Sequence, residues 1–181
     1  MVSFEIAHTK VECETRPDLF SPKDLDKGTR LLLERVASID YTRALDWGCG
    51  WGAMSVWLAA HRPMAQVIGL DSDVGAVKVS RHNVLHNQLS NVEILASPGY
   101  EDLDEHAKFD LIVSNPPTHR GREVVESMIR ESHTRLEPSG QLVFVVEARL
   151  KPWVQRELNA VFGSSQVLAR TQKHVVLAAD K

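Results

Sequence analysis

Five short apolar runs, separated by segments of helical period, constrain this chain more than any other feature. Leu-Ile-Val (111–113) and Leu-Val-Phe-Val-Val (142–146) carry no alternating polar residue. A strand built from either has both faces covered, as in a sheet sandwiched between helices. Arg43–Trp47, Gln66–Leu70, Val92–Ala96, Phe109–Ser114 and Gln141–Glu147 read as strands. Ala53–Ala60, Asp73–Asn87, Arg122–Leu136 and Pro152–Phe162 read as the helices between and after them. Strict alternation makes the sheet mostly parallel. The last two strands, 165–170 and 173–179, leave no room for a crossover, so they pair as an antiparallel hairpin. The expected fold is a three-layer, Rossmann-like α/β sandwich with seven strands.

Upstream, residues 1–22 read as an extended arm with a short hairpin over 4–14. A helical pattern begins at Asp24, with Leu25, Leu32, Val36 and Ile39 on one face. The expected organisation is one domain over 1–181: an arm and helix over 1–40 and a core over 41–181. At 181 residues the chain buries enough apolar surface to need no metal or disulfide. Its two cysteines, Cys13 and Cys49, are far apart, and no apolar signal core opens the sequence. A cytoplasmic setting is the expectation. With 21 Lys and Arg against 24 Asp and Glu, the chain lacks the basic balance of a protein that grips nucleic acid over its whole surface.

In open α/β sheets, ligands bind beyond the carboxyl ends of the strands. The first such end reads Ala-Leu-Asp-Trp-Gly-Cys-Gly-Trp-Gly (44–52). Glycines at 48, 50 and 52 allow a tight turn and close approach to a ligand. Asp46, just ahead of them, would repel a pyrophosphate and attract a cationic amino group. That favours S-adenosylmethionine over a nicotinamide dinucleotide; an ordinary strand-to-helix turn is the bland alternative. Asp71, at the second strand's end, is placed to accept both hydroxyls of a ribose, or else to cap the following helix as Asp73 can.

The stretch Phe-Asp-Leu-Ile-Val-Ser-Asn-Pro-Pro (109–117) ends a strand in two prolines, which cannot continue a ladder. Asn115 is held extended by the proline after it. Its amide oxygen and a free carbonyl beside it make two acceptors that suit an exocyclic NH2. Holding those protons turns the nitrogen lone pair towards an electrophilic methyl.

On these motifs the chain resembles class I S-adenosylmethionine-dependent methyltransferases. More narrowly, it resembles the methyltransferase small group, which includes the catalytic domain of guanine-N2 methyltransferases of small-subunit ribosomal RNA. Asp-Trp-Gly-Cys-Gly (46–50) matches the family's cofactor loop. Asn-Pro-Pro-Thr-His-Arg-Gly (115–121) matches its catalytic motif, and Leu-Phe-Ser (19–21) with Asp-Lys-Gly-Thr-Arg-Leu-Leu-Leu (26–33) matches its arm. The resemblance covers residues 11–179. It implies cofactor contacts at Phe20, Ser21, Thr29, Asp46, Trp47, Gly48, Cys49, Gly50, Asp71, Ser72 and Asn115. It implies catalysis at Asn115, Pro116 and Pro117, and substrate contacts at Thr118, His119 and Arg120. Two positions depart from the family: Thr118 stands where Phe or Tyr stacks on a base, and Ser97-Pro98-Gly99 where an acid meets the adenine amine. Ser97 is the expected substitute. The ribosomal enzymes often carry a second, degenerate domain for RNA binding, which these residues do not include.

The resulting expectation is methyl transfer from S-adenosylmethionine to an exocyclic amine, guanine N2 of ribosomal RNA first, with RNA as partner and neither metal nor membrane involved. A protein glutamine amide or a small molecule is the alternative acceptor, and a non-catalytic cofactor-binding subunit is a third reading. His82 and His86 have helical spacing but lack the glutamate of a zinc-protease motif, because residue 83 is Asn83. Arg120, Arg122, Arg149 and Lys151 are candidates for phosphate contact. Trp47, Trp51 and Trp57 read as packing residues, with Trp51 the one placed to do more.

Overall fold

A computed structural model describes residues 1–181. The chain opens with an antiparallel hairpin, β1 (Val2–Ile6) and β2 (Thr9–Cys13). Helix α1 (Lys27–Val36) follows. Then come β3 (Arg43–Trp47), α2 (Ala53–His61), β4 (Gln66–Asp71), α3 (Val74–His86) and β5 (Val92–Ala96). The second half holds β6 (Phe109–Ser114), α4 (Arg122–Arg135), β7 (Leu136–Glu147), α5 (Lys151–Phe162), β8 (Gln166–Arg170) and β9 (His174–Asp180).

The seven strands from β3 onward form one sheet in the order β5-β4-β3-β6-β7-β9-β8. β3 to β7 run parallel, and β9 is antiparallel to both its neighbours. The alternation of apolar residues sets what each face meets. Along β7, Val143 and Val145 face the layer of α1, α2, α3 and the hairpin, in a cluster with Leu32, Leu33 and Trp57. Leu142, Phe144 and Val146 face α4 and α5, in a cluster with Ile129, Val154 and Leu158. Trp57 is fully buried, and truncating such a residue to Ala costs about 3–5 kcal/mol.

Three elements differ from the sequence expectation by more than a single residue. The hairpin spans 2–13, not 4–14, and turns at Ala7 and His8, both at positive φ (48° and 62°). Such turns usually announce themselves by Gly or Asn, and this one does not. Helix α1 begins at Lys27, because Asp26 is extended and its carboxylate accepts the Thr29 amide N–H. Helix α4 ends at Arg135: Leu136 is extended, fully buried and paired with Phe109, so β7 starts five residues early and reaches Gln141 through an irregularity.

The hairpin is docked through amides on α3. Asn83 accepts the Glu14 N–H (2.7 Å) and donates to the Glu14 and Trp51 carbonyls (2.9 and 2.7 Å). Asn87, one turn on, accepts from and donates to the Glu12 backbone (3.2 and 2.7 Å). Two side chains spaced i, i+4 thus satisfy the open edge of β2.

Candidate functional site

The order of strands reverses between β3 and β6, where crossovers leave in opposite directions and a crevice opens. Asp46 pairs with Val113, and the Ser114 hydroxyl donates to the Trp47 carbonyl (2.6 Å). The glycine loop and the Asn-Pro-Pro segment therefore leave the sheet side by side. Above them lies a cleft of about 940 Å³, at the upper end of the range for small-molecule sites. No helix is long and apolar enough to cross a membrane.

Gly48, Gly50 and Gly52 all have positive φ (81°, 56° and 88°). A Cβ on Gly48 or Gly50 would meet nothing within 4 Å, so their bare backbone fronts the cleft. At Gly52 a Cβ would sit 2.3 Å from the Ser80 hydroxyl, so this glycine lets α2 and α3 approach. Helix α2 starts here without a side-chain cap, and Ala53 and Met54 line the cleft. Its free amide groups point at whatever occupies that corner.

Asp46 lies behind this wall and is not part of its surface. It is fully buried; Oδ2 accepts the Ser55 hydroxyl (2.6 Å), and Oδ1 has no partner. Burial pushes its carboxyl up to about 7; the Asp71 charge adds to this and the Ser55 hydrogen bonds oppose it. Its carboxyl group therefore sits beneath the loop and not on the cleft wall. Cys49 is also buried, its thiol pushed well up by burial and by Asp46 and Asp71. It fills space and is no nucleophile.

Asp73, not Asp71, caps α3, accepting the Gly75 and Ala76 N–H groups (2.7 and 3.2 Å). The Asp71 carboxylate instead bridges two loops, accepting from Gly50 N and Asp73 N at 2.8 Å each. It lines the cleft, as do Trp47, Ser72 and Ser97. Ser97 is buried and its hydroxyl donates to the Gly99 carbonyl (2.9 Å). Its donor is therefore already spent. Two carboxylates missed in the sequence, Glu101 and Glu131, also line the cleft.

Asn115 is anchored by its nitrogen. Nδ2 donates to Asp26 Oδ2 (3.1 Å) and to Thr29 Oγ1 (3.0 Å), both at the start of α1. The amide orientation is thereby fixed, and Oδ1 is left as a free acceptor. Asp26 gave no sign of this role in the sequence beyond its place in the arm motif. The Pro116 carbonyl already accepts the Thr118 N–H (2.8 Å) and keeps a second lone pair. Thr118–Arg120 form one 3₁₀ turn, and all three line the cleft; Arg120 reaches Ser72 (3.4 Å).

The arm closes one side. Phe20 and Ser21 line the cleft, Phe20 largely exposed, and the Trp51 indole donates to the Phe20 carbonyl (2.9 Å). Trp51 is thus buried packing that also moors the arm. Trp47 packs against Tyr100 (4.5 Å between ring centres), and Trp57 stacks on His61. Of the four cations singled out, Arg120 and Arg149 line the cleft. Arg122 lies over the Trp153 ring instead, and Lys151 is not on the wall. His82 faces Glu14 at 3.5 Å and stacks with His86; no three metal-type ligands converge anywhere. The far wall holds Glu147, Lys173 and His174, none of them singled out in the sequence. Glu147 ends β7 at the same edge of the sheet, which is the signal that marks it.

A family model described as the methyltransferase small domain matches residues 10–178. The ribosomal RNA small subunit methyltransferase C of Pectobacterium atrosepticum is 38% identical over 173 residues, 93% of this chain and 48% of that protein. The protein of the same name from Actinobacillus succinogenes is 36% identical over 164 residues, 88% and 48% of the two chains. Among solved structures, the T. thermophilus 16S rRNA N2 G1207 methyltransferase in complex with AdoMet and guanosine superposes with a TM-score of 0.89 at 30% identity. It covers 99% of this chain and 49% of that one. The chain spans about half the length of these relatives.

Proposed function

The chain belongs to the methyltransferase small domain family, and on that footing we propose that it transfers a methyl group from S-adenosylmethionine to the N2 amine of a guanine in ribosomal RNA. The observation that carries this reading is the anchored amide of Asn115, whose oxygen is left free beside the glycine loop.

The residues present fit the cofactor. Gly48 and Gly50 offer open backbone, and the uncapped start of α2 suits a carboxylate. Asp71 faces the cleft with lone pairs to spare after its two amide bonds, enough for ribose hydroxyls. Asp46, buried with an unpartnered oxygen, supplies negative potential beneath the loop for an ammonium above it. When bound, S-adenosylmethionine would supply an electrophilic methyl carbon, whose bond to the sulfonium would break as the acceptor nitrogen takes it, the sulfur leaving as the neutral thioether of S-adenosylhomocysteine.

The chain's own work is on the acceptor. An aryl amine is a poor nucleophile while its lone pair is delocalised into the ring. Asn115 Oδ1 and the Pro116 carbonyl accept the two amine protons, which favours the geometry in which the lone pair points out of the base plane. As the new N–C bond forms, positive charge grows on the nitrogen, and the same oxygens stabilise it. The proton then leaves to solvent, so no dedicated base is required. His119, Arg120, Arg149 and Lys173 give the rim of the cleft the donors that RNA phosphates take. Thr118, in place of a stacking ring, favours a protein glutamine amide as the second reading.

Incubation of the protein with radiolabelled S-adenosylmethionine and ribosomal RNA lacking the modification tests this. Nucleoside digestion is expected to yield labelled N2-methylguanosine. Label in protein glutamine, or in no guanosine, overturns it.

A further inference from the structure

We propose that Glu147 selects the acceptor base by accepting the N1–H of guanine, the proton next to the amine that Asn115 holds. The proposal rests on the guanine reading above and names the residue that makes the choice.

The placement follows from the sheet. In the parallel β6–β7 pair, Ser114 lies opposite Phe144 where β6 ends, so Asn115 leaves the sheet next to the last three residues of β7. Phe144 and Val146 face α4 and α5, while Val143 and Val145 face α1. The two-residue period puts Glu147 on the α1 side, where Asp26 tethers Asn115. Gly28 ties these elements together. A Cβ there would lie 3.0 Å from the Asp26 carboxylate, 3.2 Å from Val145 and 3.0 Å from His174. His174 is in turn the cross-strand partner of Glu147. Glu147 and Asn115 both line the cleft.

The carboxylate is placed to take planar N–H donors. Arg149 donates to it from Nε (2.7 Å) and Nη2 (3.3 Å). This contact holds the Glu147 carboxyl below its ordinary range, so it is ionised and purely an acceptor. Arg149 takes one lone pair on each oxygen and leaves the others open. The N1–H of guanine is a donor of the same kind.

The chemistry discriminates among the three bases that carry an exocyclic amine. Beside its amine, adenine presents N1 and cytosine presents N3, both bare acceptors that a carboxylate repels. Guanine alone presents an N–H there. A carboxylate flanking the amine acceptor therefore admits guanine and rejects the other two, without needing the stacking ring that Thr118 replaces. A site whose polar group is left unpaired by the wrong ligand discriminates strongly.

2-Aminopurine isolates this contact, since it keeps the N2 amine but has a bare N1. The affinities of guanosine and 2-aminopurine riboside are measured by calorimetry, with S-adenosylhomocysteine present, for the wild type, Glu147→Gln and Glu147→Ala. The wild type is expected to prefer guanosine by about tenfold or more, as one good base-edge contact provides. Glu147→Gln can donate to N1, so its preference is expected to reverse, and Glu147→Ala to show little preference. Glu147 is exposed, so these variants fold, and a melting curve checks it. An unchanged guanosine preference in Glu147→Gln overturns the proposal and leaves the guanine reading standing. Failure of the wild type to bind guanosine at all, with no label in ribosomal guanosine, overturns both.

Discussion

The Asn115 amide nitrogen lies 3.1 Å from the Asp26 carboxylate, so the residue that caps α1 also decides which way Asn115 faces. The nitrogen is committed to the scaffold, and the oxygen is left free for the proposed acceptor.

This division predicts that Asn115→Asp is no better than Asn115→Ala. The aspartate keeps an acceptor oxygen but sets a second carboxylate against Asp26, with nothing to donate to it. Both variants are expected to lower single-turnover methyl transfer by roughly 10²-fold or more, the scale seen when a preorganised transition-state contact is removed. Affinity for S-adenosylmethionine should stay close to wild type in Asn115→Ala. Wild-type turnover in Asn115→Asp would mean that the amide nitrogen has no role.

Asp71 joins the glycine loop to the start of α3 through Gly50 and Asp73. Asp71→Ala is expected to weaken S-adenosylmethionine binding by about 1.5–3 kcal/mol, the worth of hydrogen bonds to a charged group. Calorimetry measures this. Unchanged affinity would leave Asp71 as a loop bridge only.

The buried Asp46 carboxyl, pushed up to about 7 from 3.8, makes stability depend on pH. The folded chain holds this proton more tightly than the unfolded chain does. The stabilisation is full below about pH 4 and is lost as pH rises to about 7, then flat. Asp46→Asn removes the titration and keeps an acceptor for Ser55. From pH 4 to 8 the wild type should lose on the order of 4 kcal/mol relative to Asp46→Asn in denaturant unfolding. A constant difference would show that Asp46 is ionised throughout. A cation above the loop favours the carboxylate, so cofactor affinity should rise between pH 6 and 8.

The arm divides at Glu14. Up to that residue its backbone is held by Asn83 and Asn87; beyond it, residues 16–24 are mostly exposed and moored through Trp51 to Phe20. Hydrogen exchange with and without S-adenosylmethionine should show new protection over 16–24 and none over 2–14. Equal protection of 16–24 in both states would make it fixed packing.

The sheet was legible because its central strands are apolar on both faces, and the glycine loop and Asn-Pro-Pro because each breaks a strand in a way few sequences do. What was hidden depends on partners remote in sequence. Asp26 reads only as one residue of the arm motif; the fold makes it the cap of α1 and brings it to Asn115, 89 residues away. Leu136 reads as the last apolar position of α4, and pairing with Phe109 makes it strand. Asp46 was expected at the ligand, but its short side chain points under the loop to Ser55. Glu147 sits at a strand end, like Asp71 and Asn115, but no glycine or proline draws the eye to it.

The reversal of strand order also partitions the chain by task. Apart from α1, the walls proposed for the cofactor come from the arm and from residues 46–101, and those proposed for the acceptor from residues 115–120 and 147–174. Divergence in one set need not disturb the other. A lineage of such chains can exchange one acceptor for another by rewriting the second half alone, and a designer can graft a foreign 115–174 segment onto this first half. Such a graft must keep the seam at α1, where Asp26 needs an amide to hold, and the contacts of Leu136 with Phe109 and of Arg120 with Ser72.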